Sequence, residues 1–131
     1  MFRLVNKLKN KKGFTLIELI VVLAVLGIIM AIAVPRFVGV QDQAKIDADY
    51  ASGSLIAKTA EIYAAKGMSN TEIKTKLQED FPQGITFQSK KISGQTLDNI
   101  KISVNSSTGA VTVEVTKGSD DFEIYPGNEL D

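Results

Sequence analysis

The sequence has no cysteine and no histidine. A Ser-His-Asp or Cys-His catalytic group is therefore excluded, and so is a zinc site built on those ligands. A head exported without cysteine also does without the disulfides that small secreted domains often use, so its stability must come from packing, from a long helix or from neighbours in an assembly. Net charge is missing too, since fifteen Lys and Arg balance fifteen Asp and Glu. That balance is uneven along the chain. Arg3, Lys7, Lys9, Lys11 and Lys12 precede Phe14 with no acid among them, and from Phe14 onward ten basic groups face fifteen acidic ones, a net of −5. Sequence-independent phosphate binding rests on clustered Lys and Arg, so no nucleic-acid partner is expected. The Lys90-Lys91 pair reads as a solvated strand edge.

What is present is one long apolar run. From Phe14 to Val34 the only polar residues are Thr15 and Glu18. As a helix with ~1.5 Å rise per residue, this run spans about 30 Å, the thickness of a bilayer core. The basic residues before it predict an N-terminus on the cytoplasmic side. A secretory signal peptide has a shorter apolar core, about 7 to 15 residues, and ends at a small-residue cleavage site, whereas this run passes through Pro35 and Arg36 into more helical sequence. A retained helix is expected. Gly27 and Pro35 are its weak points, because proline lacks the N–H that would bond Ala31 and its ring crowds that turn. A simple kink and a segment able to unwind both fit those two residues.

The rest is enough for one small head, residues 36–131. Ala44, Ala48, Ala51, Leu55, Thr59 and Ile62 recur at helical spacing, flanked by Ser52, Ile56, Ala60 and Tyr63, predicting an amphipathic helix over 36–66 with that stripe against a sheet. Gly67 supplies its stop. Ser69 and Glu72 have capping-box spacing and open a short helix over 70–79. Then the period becomes two: Ile85 and Phe87, then Ile100, Ile102 and Val104, then Val111, Val113 and Val115 alternate with polar residues. The link Asn105–Gly109 predicts a hairpin between the last two strands, and Phe122–Tyr125 reads as an edge segment. The expected class is α+β: a long N-terminal helix, its hydrophobic half protruding and its amphipathic half laid on a small antiparallel sheet within 85–125.

Lys12-Gly13-Phe14-Thr15-Leu16-Ile17-Glu18, leading into an unbroken apolar helix, resembles the N-terminus of the type IV pilins and their pseudopilin relatives, which carry class III signal sequences. The resemblance covers residues 11–36, and Gly27 and Pro35 fall where many members have a glycine and a proline. It implies a basic leader over 1–13, a membrane-spanning and filament-core helix over 14–35, and a pilin-like head. It further implies a prepilin peptidase that cuts between Gly13 and Phe14 on the cytoplasmic face and methylates the new amine of Phe14. Glu18 is then an assembly residue, its carboxylate paired with the Phe14 amine of a neighbouring copy. Implied partners are other copies of the chain, the peptidase/methyltransferase, a pilus assembly platform with its ATPase, and the membrane before assembly; no cofactor is implied. The expected location is the cytoplasmic membrane first and a surface pilus afterwards, serving adhesion, motility or aggregation. A pseudopilin of a type II secretion or DNA-uptake system is an alternative, as is an uncleaved, signal-anchored extracellular binding domain. Asp120, Asp121 and Glu123 are candidate calcium ligands, because some pseudopilins carry calcium in this region, although no known loop spacing occurs here and a solvated acidic surface is the expected reading.

Overall fold

A computed structural model describes residues 13–127 and 129–131. Residues 1–12, which hold nearly all of the expected leader, lie outside the described residues. The chain divides into two compact units, one ending at Val38 and the other beginning at Gly39. Helix α1, Leu16–Ala65, contributes to both, and Pro35 lies inside it.

In the first unit every described residue is exposed. Leu19, Ile20, Val21, Val22 and Leu23 follow one another, so apolar side chains point out all round the helix. A helix that is apolar on every side has lipid or other chains for neighbours, not a core of its own.

The second unit is the head, an α+β arrangement in which the α1 residues from Gly39 onward pack on a three-stranded antiparallel sheet. The helix ends in a Schellman turn: the Gly67 N–H donates to Ala64 O and the Met68 N–H to Tyr63 O. Gly67 adopts φ 82° there, a conformation that side chains disfavour. Helix α2, Asn70–Asp80, opens with the expected capping box, in which the Ser69 N–H donates to Glu72 Oε2 at 2.8 Å and buried Ile73 and Leu77 face the core. Strands β1 (Ile100–Val104), β2 (Val111–Lys117) and β3 (Asp120–Tyr125) lie in that order in the sheet. Ile100 pairs with Val115 and Ile102 with Val113, so their buried side chains share one face. Asn105 Oδ1 accepts the Ser107 N–H at 2.9 Å and fixes the β1–β2 turn.

Three sequence expectations change. Ile85–Gln88 is not a strand of the sheet, and Lys90-Lys91 lie in a turn rather than at a strand edge: Thr86 makes one isolated bridge to Thr96, and Phe87 is buried from a loop. The segment around Phe122 is a full strand, because Gly118 at φ 68° and Ser119 form a tight hairpin between Lys117 and Asp120. The third change concerns which face of α1 is buried. Its core residues are Asp49, Gly53, Ile56, Ala57 and Ala60. Ala44, Ala48, Ala51, Leu55 and Ile62 are exposed, Leu55 at 50% and Ile62 at 58%.

The reason is visible at Gly53 and Asp49. A Cβ at Gly53 would stand 2.9 Å from the Ile124 carbonyl oxygen, so β3 approaches the helix where there is no side chain. Asp49, 1% exposed, accepts backbone N–H bonds from Gln88 at 2.9 Å and Ser89 at 2.7 Å, holding the 81–96 loop on the helix. Glycine and aspartate have no weight in a hydrophobic stripe, so periodicity centred it one step away. The end of the chain is fastened without covalent bonds. Leu130 is buried, its N–H donates to Tyr50 Oη at 2.9 Å, and Lys91 Nζ donates to the carbonyls of Glu129 and Asp131, each at 2.6 Å.

Candidate functional site

The site is the start of α1. Gly13, Phe14 and Thr15 precede the helix and belong to no regular element. Thr15 and Glu18 close a reciprocal capping box: the Thr15 N–H donates to Glu18 Oε2 at 3.0 Å, and the Glu18 N–H donates to Thr15 Oγ1 at 3.3 Å. The first helical bond follows, from the Leu19 N–H to Thr15 O at 3.1 Å. Glu18 therefore lies folded back toward residue 15, next to the Gly13–Phe14 bond in sequence. Phe14 is 90% exposed. With Ile17, Glu18, Val21 and Val22 it lines an open hollow on the helix surface.

Gly13 and Gly27 have empty surroundings. A Cβ on either would meet nothing within 4 Å, and neither has a left-handed backbone. Among the described residues nothing crowds either position, and Gly27 sits inside a helix, where glycine costs about 1 kcal/mol relative to alanine.

The structure does not assemble the acidic residues near the end into a cation site. Asp121 is occupied by Lys101 Nζ and by the Thr116 hydroxyl, which donates to its Oδ1 at 2.6 Å. The Lys101 ammonium, then Thr116, holds its carboxyl below the ordinary 3.8. The Glu123 side chain curls against Gly127, where an added Cβ would lie 2.4 Å from its Oε1. Among the described residues, no group of three His, Cys, Asp or Glu is placed to hold a metal. Sequence reasoning passed over Thr15 as a capping residue, although Thr-x-x-Glu is the same spacing that identified Ser69 and Glu72.

The sequence over residues 8–34 matches the family described as the prokaryotic N-terminal methylation motif. Over 114 residues the chain is 32% identical to the type IV major alpha-pilin of Moraxella bovis, covering 83% of this chain and 70% of that one. It is 67% identical over 33 residues to the type IV narrow pilus major component PilA5 of Thermus thermophilus, covering 25% of this chain and 28% of the relative. A third relative, the type II secretion system core protein G of Pseudomonas aeruginosa, is 38% identical over 55 residues, covering 42% of this chain and 39% of that protein. No solved structure gives a significant match. A methylation motif opening an apolar helix, joined to a helix-on-sheet head, defines a structural protein and not an enzyme. The chain belongs to the type IV pilin family. Among the described residues one helix is long and apolar enough to cross a bilayer, which fits anchoring in a membrane.

Proposed function

We propose that this chain is a major subunit of a type IV pilus, cut between Gly13 and Phe14 by a prepilin peptidase, methylated on Phe14, and polymerised into a surface filament used for adhesion, motility or aggregation. The observation that carries the reading is the first part of α1, residues 16–34, exposed and apolar nearly all round and lying within the methylation motif. Such a surface is stable in a bilayer, with the N-terminus inside, and equally stable among copies of itself. Glu18 opposes a random arrangement. A carboxylate in hydrocarbon costs a few kcal/mol, and the Phe14 amine of an adjacent copy offsets that cost only at the correct axial offset. Gly27 and Pro35 lower the cost of unwinding the helix between them as it leaves the lipid. Moving subunits out of the membrane requires an assembly platform with its ATPase.

Mass spectrometry of material sheared from the cell surface tests the reading. The expected N-terminus is N-methylated Phe14, and an intact Met1 there overturns it in favour of an uncleaved anchor. The 55-residue match to a secretion-system core protein supports a second reading, a pseudopilin. Electron microscopy separates the two, since long surface filaments belong to a pilin.

A further inference from the structure

Thr15 is the one polar residue of the apolar run to which processing and charge pairing assign nothing. Its hydroxyl, its N–H and its carbonyl are all engaged in starting the helix, through Glu18 at 3.3 Å and 3.0 Å and Leu19 at 3.1 Å. Gly13 and Phe14 consequently stay outside α1. The preceding sequence offers little to enforce that boundary. Lys7, Leu8, Lys9, Lys11 and Lys12 are all good helix formers, and only Asn10 and Gly13 oppose them near the junction. Without a cap, the helix is free to grow toward the N-terminus and to draw the Gly13 carbonyl and Phe14 N–H into its own hydrogen bonds. A partner that grips a peptide as added strand needs those groups free.

We propose that Thr15 is a positioning residue for processing: its capping box with Glu18 holds the Gly13–Phe14 peptide outside the helix, where a peptidase can take it as extended backbone. The inference rests on the reading above that this bond is cut. In the step itself water adds across the bond. The C–N bond breaks, hydroxyl joins the Gly13 carbonyl carbon to give a carboxylic acid, and the other water proton goes to the Phe14 nitrogen to give an amine; transfer of the acid proton then leaves a carboxylate and an ammonium. Thr15 touches neither reacting atom and acts only through where the helix begins. Both members of the box lie downstream of the cut, so the box remains in the mature chain.

The test uses the full chain in detergent micelles with purified prepilin peptidase, following the Phe14-terminated product by mass spectrometry. Thr15→Val keeps the shape and removes the hydroxyl. It lowers kcat/KM about fivefold, the factor matching loss of a typical N-cap, with the change carried by KM. Thr15→Ser restores the wild-type value. Backbone chemical shifts of residues 14–17 show the helix start moving in the valine variant and staying in the serine variant, while the melting temperature of the head is unchanged in both. A valine variant cut as fast as wild type, with wild type cut between Gly13 and Phe14, overturns the role of Thr15 and leaves the processing reading standing. Wild type left uncut at that bond overturns the processing reading and this inference with it.

Discussion

Glu18 makes one contact within its own chain and is proposed to make a second with a neighbouring copy. Its Oε2 takes a backbone N–H from Thr15, which meets a hydrogen-bonding need but leaves the negative charge in place. In the assembly proposed above, pairing with the Phe14 amine of a neighbouring copy would use the charge. Glu18→Gln separates the two, because glutamine also closes a capping box. The variant is expected to be processed normally and to yield at least tenfold less filament in the sheared fraction, since the amine of each copy is then left without a counter-charge. Filaments as abundant as wild type would remove the charge from the account. The family motif was legible in the sequence because it is local: Gly13, Phe14 and Glu18 stand at fixed spacing within the matched residues 8–34, and the roles given to them remain proposals. Thr15 was equally local, but its role becomes visible only once the helix start is known to lie at Leu16.

At the scale of elements, the contact between α1 and β3 decides how the head is built. Gly53→Ala brings a gain in helix propensity of about 1 kcal/mol and a clash with a backbone oxygen at 2.9 Å. A backbone carbonyl held in a strand cannot swing aside, so the overpacking cost of about 1–3 kcal/mol prevails. A melting temperature lower by several degrees is expected, read by circular dichroism of the full chain in micelles; an increase would mean that propensity wins. This contact also explains which parts of the fold were readable. Helix positions, the capping box at Ser69 and the hairpin at Asn105 follow from local chemistry, and the sequence patterns place them correctly. The buried face of α1 depends on a missing side chain and on a carboxylate that meets two loop N–H groups, and neither has a hydrophobic signature. The Ile85–Gln88 alternation misled for a related reason: Phe87 is buried by a loop whose backbone bonds to Asp49 rather than to a neighbouring strand.

For the whole molecule, acid is the condition to which the head responds. Asp42 is held below its ordinary 3.8 by the Lys90 ammonium, and Asp121 by Lys101 and Thr116. Glu72 is held below its ordinary 4.5 by the backbone and hydroxyl of Ser69. A carboxyl with a lowered folded-state pKa contributes stability that is present above the unfolded value and lost as pH falls through the folded one. The melting temperature of the head is therefore expected to be level between about pH 5 and 7 and to decline below about pH 4. A head that melts higher at pH 3 than at pH 6 would contradict the sign. Glu72 and Asp121 are exposed and Asp42 is only half-buried, so the decline is gradual and modest.

The fastening of Leu130 by the core, Tyr50 and Lys91 gives this head an indifference to redox conditions. With no sulfur bridge to make, the described head needs neither oxidant nor disulfide isomerase for residues 129–131 to lock, and a reductant has nothing here to act on.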